Sequence, residues 1–277
     1  KKVTSMSKLS DIQCFLLDMD GTFYLGDKLI DGSLEFIHFL KEQGKQFVFL
    51  TNNSSKSSEE YVEKLKKLGC FVTIEDVFTS GEATTIYLNQ NKPNGKVFLL
   101  GTKALEDEFT SHGFELINDS DMIPDFVVLG FDQTLTYKKL WRACDYIREG
   151  IPYVATHPDY NCPLDGGKYM PDTGSMIEMI KASTGKLPYV VGKPNAFIIE
   201  AICIKQGLLK ENLAMVGDRL YTDIQAGVNA NVTSILVLSG ETTMDSYKQS
   251  QIRANYVFDS LKDLHQAIIT EYNQDFL

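Results

Sequence analysis

Short, uninterrupted apolar runs alternate along this chain with longer stretches in which apolar residues recur every three or four positions. Runs of the first kind, such as Cys14-Phe15-Leu16-Leu17 and Phe47-Val48-Phe49-Leu50, leave no room for a solvated face and read as strands buried on both sides, hence parallel. The second kind reads as amphipathic helix. Residues 33–43 carry Leu34, Ile37 and Leu40 at helical spacing and stop at Gly44. Ser57 and Glu60 form a capping-box pattern that opens a helix through Leu68, which Gly69 ends. Strands are predicted further at 77–80, 97–100, 126–130, 153–156, 188–192, 213–216, 234–238 and 256–258. Helices are predicted from Gly81-Glu82 onward and at 103–112, 137–149, 175–183, 194–206, 221–229 and 261–272. Alternation of this kind is α/β throughout.

The strands of 81–187 have partners enough for a sheet of their own. The expected organisation is a split α/β core, residues 1–80 and 188–277, with a second α/β domain at 81–187 inserted into it. At 277 residues the chain has ample length for both cores. A formal charge of −10 argues against nucleic acid or an anionic membrane as a partner, and it requires local cations wherever a phosphate is to bind. Cys14, Cys70, Cys144, Cys162 and Cys203 are odd in number and widely spaced, with no CxxC, so neither a zinc site nor a disulfide framework is indicated. No apolar run approaches membrane-spanning length, and residues 1–10 lack a signal peptide's apolar region. A cytoplasmic location is the expectation.

Chemistry gathers where strands end. The first strand stops at Asp18-Met19-Asp20-Gly21-Thr22, two carboxylates two residues apart. Asp-Gly is a common turn pair, and a turn is the plain reading of this stretch. Yet two adjacent acids repel and share a desolvation cost unless a cation binds between them. The spacing suits a hard cation with oxygen ligands, one carboxylate being left as nucleophile or proton carrier. Further strand ends carry Thr51-Asn52-Asn53, Lys193, and Asp218 with Asp223. Each alone reads equally well as a cap, a turn or a loop cation. In a parallel sheet, however, strand ends share one edge, which is where open α/β folds place their sites.

The stretches DMDGT, TNN, GKP and GDRLYTD, in this order and each after a predicted strand, resemble the four successive motifs of the haloacid dehalogenase (HAD) superfamily. The room between Thr51 and Lys193, rather than between Asp20 and Thr51, resembles the phosphatases with the larger α/β (C2-type) cap, class IIA, the NagD-like or p-nitrophenylphosphatase subfamily. Asp18 to Gly26, Val128-Leu129-Gly130-Phe131-Asp132 and Ala155-Thr156-His157-Pro158-Asp159 are similar to that subfamily as well. One departure is Pro171-Asp172-Thr173-Gly174, where relatives usually have Pro-Gly-x-Gly.

The resemblance implies a Rossmann-like parallel-sheet core with an inserted cap, and hydrolysis of a small phosphomonoester in two steps. Asp18 would be the nucleophile, forming an aspartyl-phosphate, and Asp20 the general acid and then base. Mg²⁺ would bind the Asp18 carboxylate, the Asp20 carbonyl and Asp218, with Asp223 supporting. Thr51 and Asn52 would hold transferring oxygens, and Lys193 would offset charge on nucleophile and phosphoryl group. The cap would add leaving-group contacts, with Asn53, His157 and Asp159 as candidates; for His157 a loop histidine beside a proline turn is an equal reading. A homodimer through the cap is compatible with the resemblance. The rivals are a phosphotransferase or mutase using the same aspartates, a receiver-like module and a phosphate-binding HAD protein without activity. The mutase should carry a helical cap after the first motif, the receiver should be far shorter, and the inactive protein should lack a carboxylate.

Overall fold

The computed structural model of the chain describes residues 7–275; residues 1–6 of the opening stretch, read above for a signal peptide, lie outside the described residues. Two compact units emerge. One takes the chain up to Leu50, residues 62–78 and everything from Lys193 on; the other takes 51–61 and 79–192. The organisation expected from sequence keeps 51–61 in the core and ends the insert at 187.

In chain order the first elements are β1 (Cys14–Leu17), the hairpin β2 (Tyr24–Leu25) and β3 (Lys28–Leu29), α1 (Ser33–Glu42), β4 (Gln46–Thr51), α2 (Ser58–Lys67) and β5 (Val77–Thr79). Then come α3 (Ser80–Asn91), β6 (Lys96–Leu100), α4 (Lys103–Ser111), β7 (Glu115–Leu116), β8 (Phe126–Leu129), α5 (Tyr137–Arg148) and β9 (Tyr153–Ala155). A second hairpin, β10 (Asn161–Leu164) and β11 (Lys168–Pro171), leads to α6 (Thr173–Thr184) and β12 (Tyr189–Val190). The chain closes with α7 (Phe197–Gln206), β13 (Leu213–Gly217), α8 (Gln225–Ala230), β14 (Thr233–Val237), α9 (Met244–Gln249), β15 (Tyr256–Phe258) and α10 (Leu261–Asp275).

The first unit is built on a six-stranded sheet in the order β15-β14-β13-β1-β4-β5. β1 is central because every residue in it is apolar and buried, which only a strand flanked on both sides and covered on both faces allows. It pairs in parallel with β13 and β4, Leu17 standing opposite Val216 and Phe49. That register brings Asp18, the Gly217-Asp218 step and the Leu50-Thr51 step out at the same edge. The predicted capping box is present: the Ser57 amide donates to Glu60 at 2.7 Å and the Glu60 amide to the Ser57 hydroxyl at 3.2 Å.

The second unit has its own parallel sheet, β12-β9-β8-β6-β7, with the antiparallel hairpin β10–β11 beside it. Phe98, Leu100, Val127, Leu129, Phe131, Ile147 and Ile180 form its core against α5 and α6.

Three expectations change. The strand read at 188–192 shrinks to Tyr189–Val190 and pairs with β9 at the edge of the second sheet, with Tyr189 exposed; an apolar run announces a strand without saying which sheet takes it. The helix after Lys193 starts at Phe197, since Lys193 to Ala196 form a turn ahead of it and Pro194 lies in that turn. The helix expected at 221–229 opens as a π-turn, Leu220–Ile224, before α8.

Candidate active site

Lys193 and three aspartates form a cluster at the carboxyl edge of the first sheet, with Lys193, Asp218 and Asp223 buried and Asp18 partly exposed. The Lys193 ammonium donates to Oδ1 of Asp18 at 3.0 Å, to Oδ1 of Asp223 at 2.8 Å and to the Leu50 carbonyl at 3.3 Å, so all three of its protons are directed. Burial alone would drive that ammonium toward neutrality; the carboxylates of Asp18 and Asp223 outweigh it and raise its pKa. It is a charged lysine, held rigidly. Asp223 is spent on both oxygens, the second accepting the Arg219 amide at 3.1 Å. Burial and the Asp18 charge push its carboxyl up, and Lys193 pulls it back.

Asp218 receives the Glu241 amide at 2.7 Å on Oδ2. Burial, reinforced by Asp18 and Asp223, pushes its carboxyl up to about 8. Asp18, Asp218 and Asp223 each present an oxygen within 4.8 Å of the others. Asp18 and Asp223 share one ammonium while the buried Asp218 adds a third carboxylate, so when all are ionised negative charge stands uncompensated in a site where only Asp18 is partly exposed. An oxygen-rich pocket with that deficit fits a hard dication. The backbone is shaped around it: a Cβ on Gly21, whose φ is +86°, would stand 2.4 Å from Asp218 Oδ2, and one on Gly240 would stand 2.0 Å away. Only glycine on both sides lets Asp218 sit where it does.

Asp20 lies beyond β1 with its side chain exposed, in a turn closed by the Gly21 amide donating to the Tyr24 carbonyl at 2.8 Å. Thr51 ends β4, and its hydroxyl accepts the Asn53 amide at 3.1 Å.

In the second unit the segment after Thr51 is fastened residue by residue. The Asn52 carboxamide donates to Asp159 at 3.4 Å, and its carbonyl accepts the Ser80 hydroxyl. Asn53 Oδ1 accepts both the amide and the hydroxyl of Ser55, at 2.8 and 2.7 Å. Ser54 pairs with Thr156, and the Ser55 carbonyl accepts the Thr102 hydroxyl at 2.9 Å. His157 is fully buried, with Nδ1 2.8 Å from Thr156 Oγ1 and Nε2 2.8 Å from Asp172 Oδ1.

The structure thus brings together Asp18, Lys193, Asp218 and Asp223, and separately Asn52 with Asp159. His157 stands with Asp172, and Asn53 holds its own loop. Glu241, Gly240, Ser54, Thr156 and Asp172 were not picked out from sequence. For Asp172 a signal existed, the departure from Pro-Gly-x-Gly; for the others none did, because an amide or a hydroxyl partner is visible only once the loops are folded.

These distances give the motif order its physical content, and the comparisons agree with it. Residues 15–115 match the haloacid dehalogenase-like hydrolase family, and 190–264 a second HAD hydrolase-like family. The chain belongs to the haloacid dehalogenase-like hydrolases, in their NagD-like phosphatase branch. It is 35% identical over 260 residues to an acid sugar phosphatase of Staphylococcus aureus, covering 94% of this chain and 98% of that protein. Among solved structures it is similar to a 4-nitrophenylphosphatase from Thermotoga maritima, with 47% identity, a TM-score of 0.90, and coverage of 95% of this chain and 100% of that one. A glycerol phosphate phosphatase from Mycobacterium tuberculosis, solved in complex with magnesium, is 30% identical with a TM-score of 0.86, over 94% of this chain and 79% of that one. Among the described residues no helix is long and apolar enough to cross a membrane.

Proposed function

We propose that the protein is a Mg²⁺-dependent phosphomonoesterase acting on a small phosphorylated metabolite through an aspartyl-phosphate on Asp18. The observation that carries this reading is the cluster of three carboxylates, two of which, Asp18 and Asp223, share one fixed ammonium. The names of the relatives, which act on phosphate esters of sugars, glycerol and 4-nitrophenol, support the substrate class.

Asp18, Asp218 and the Asp20 carbonyl would hold the metal, with Asp223 in support, and the uncompensated charge described above is what the donor set offers it. When bound, the cation supplies positive charge to the nucleophile and to the phosphoryl oxygens. The remaining work falls to the chain. An Asp18 oxygen attacks phosphorus, and the ester P–O bond breaks. Asp20 gives its proton to the departing alkoxide, then takes one from the water that attacks the aspartyl-phosphate and releases phosphate. Lys193, kept charged by Asp223, lies beside the nucleophile and offsets charge that grows on the equatorial oxygens. Thr51, the last residue of the strand next to β1, and the Asn52 amide after it hold two of those oxygens. His157, buried with both nitrogens engaged, supports loop geometry in this reading, while Asn53 and Asp159 stay as candidates for substrate contacts.

A cytoplasmic location belongs to the same proposal, with all five cysteines unbridged. So does a homodimer through the second unit, where α5 exposes Tyr137 and Trp141.

The test is phosphate release from a panel of sugar, glycerol, nucleotide and aryl phosphates, with Mg²⁺ and with EDTA, for the wild type and Asp18→Asn. Turnover that needs the metal and disappears with the substitution is the expected result. Turnover unchanged by Asp18→Asn would remove the covalent mechanism.

A further inference from the structure

Four buried side chains link the β11–α6 junction to the loop after β4. Asp172 is 5% exposed, His157 and Thr156 are 0%, and Ser54 is 1%. Asp172 Oδ1 lies 2.8 Å from His157 Nε2, His157 Nδ1 2.8 Å from Thr156 Oγ1, and Thr156 Oγ1 2.9 Å from Ser54 Oγ. The Phe131 amide closes the chain by donating to Ser54 Oγ at 2.9 Å.

The two ends fix the direction of everything between them. The Phe131 amide can only donate, so Ser54 accepts from it and passes its own proton on to Thr156. An ionised Asp172 can only accept, so the proton of a neutral His157 sits on Nε2 and leaves Nδ1 as acceptor for the Thr156 hydroxyl. One arrangement therefore satisfies every group, running from Phe131 through Ser54, Thr156 and His157 to Asp172. Asp172 is itself pinned, because the same Oδ1 accepts the Thr173 amide at 2.6 Å as the N-cap of α6. A second tie runs in parallel: Asp159, whose carbonyl takes the Gly174 amide at 2.7 Å, receives the Asn52 carboxamide. Residues 156–159 and 172–174 thus grip the segment 52–54 at two points.

We propose that Asp172 and His157, acting through Thr156 and Ser54, are positioning residues for the phosphoryl-binding segment that follows Thr51. The proposal deepens the phosphatase reading and rests on it for the role of that segment. The device begins at Asp172, the N-cap of α6. It sets how accurately the Asn52 amide meets a transferring oxygen, which matters more in the transition state than in the bound ester.

The experiment compares Thr156→Val, which keeps the shape and removes the hydroxyl, with Thr156→Ser, which keeps the hydroxyl, using 4-nitrophenyl phosphate at saturating Mg²⁺. Near-UV circular dichroism checks the fold of each, and Asp172→Ala, which removes the acceptor for His157, serves as the second break in the chain. Thr156→Val and Asp172→Ala should each lower kcat about tenfold or more with KM changed by less than about threefold, and Thr156→Ser should stay within about twofold of wild type. A native-folded Thr156→Val with wild-type kcat, or a Thr156→Ser as impaired as the valine, would sink the proposal and leave packing alone. Titration of the same proteins with inorganic phosphate and Mg²⁺ separates this failure from that of the phosphatase reading. Were the wild type inert, a Thr156→Val affinity weakened about fivefold or more would still support the device, and an equal affinity would overturn it.

Discussion

Lys193 Nζ lies 3.0 Å from Asp18 Oδ1 although 175 residues separate the two in sequence. Asp223, on the other side of the same ammonium, keeps it from swinging away. Lys193→Met should cost about 10²–10³-fold in kcat, the scale for loss of a fixed electrostatic stabiliser. Lys193→Arg should not restore it, since a planar fork cannot point single donors at Asp18, Asp223 and the Leu50 carbonyl together. Steady-state kinetics on both variants decide the matter, and an active arginine variant would count against the geometry.

Asp20 has a role that depends on the leaving group. A nitrophenolate departs without much need of a proton, whereas an alkoxide departs poorly without one. Asp20→Asn should therefore slow glycerol phosphate hydrolysis by a larger factor than 4-nitrophenyl phosphate hydrolysis. Equal losses on both substrates would point away from general acid catalysis.

The pKa of Asp218, raised from 3.8 to about 8 by burial and by its acidic neighbours, gives a pH dependence with a definite sign. A carboxyl with a higher pKa in the folded state binds protons there that the unfolded chain has released. Its contribution to stability is present below about 4 and is lost as pH climbs toward 8. Metal-free protein should accordingly lose Tm over that window, and Mg²⁺ should raise Tm by more at pH 8 than at pH 5, with release of a proton on binding. Thermal melts in EDTA and in Mg²⁺ across the window are the check; a constant metal increment would contradict it.

Gly240→Ala would place a methyl 2.0 Å from Asp218 Oδ2. Asp218 must then turn, losing the Glu241 amide. Overpacking of this kind costs about 1–3 kcal/mol, and Mg²⁺ affinity should fall with it while the second unit is untouched. Calorimetric titration with Mg²⁺ reads the effect directly.

Much of this molecule is visible in one dimension, and the reasons differ by element. β1 and β13 are legible because a central parallel strand admits no polar side chain, so Cys14–Leu17 and Leu213–Gly217 stand out, and each stops where a carboxylate follows. The helix after Ser57 is legible because its cap is local chemistry. α9 is not, because Met244–Gln249 turns only the half-buried Tyr247 toward the core and carries no periodicity; Thr243 and Ser246 start it. The hairpin Asn161–Pro171 hides for a related reason: its strands are largely exposed and interrupted by Pro163. Lys193 is legible as a loop cation, but its arrival from the edge strand of the other sheet is not, since Tyr189-Val190-Val191 is apolar enough for either. The chain from Asp172 to Ser54 is least legible of all. Its members are ordinary polar residues in turns, and only folding shows that they share protons.

The placement of residues 51–61 with the second unit also bears on how this architecture can be recombined. A chimera that exchanged only 81–187 for the corresponding piece of a relative would leave Ser54 and Ser55 behind while replacing Thr156, Phe131 and Thr102. The donor hydroxyls would meet a foreign loop, and specificity would not transfer with the swapped piece. A graft that carries 51–61 along with 79–192 keeps those bonds within one lineage, so the natural module here is a discontinuous one.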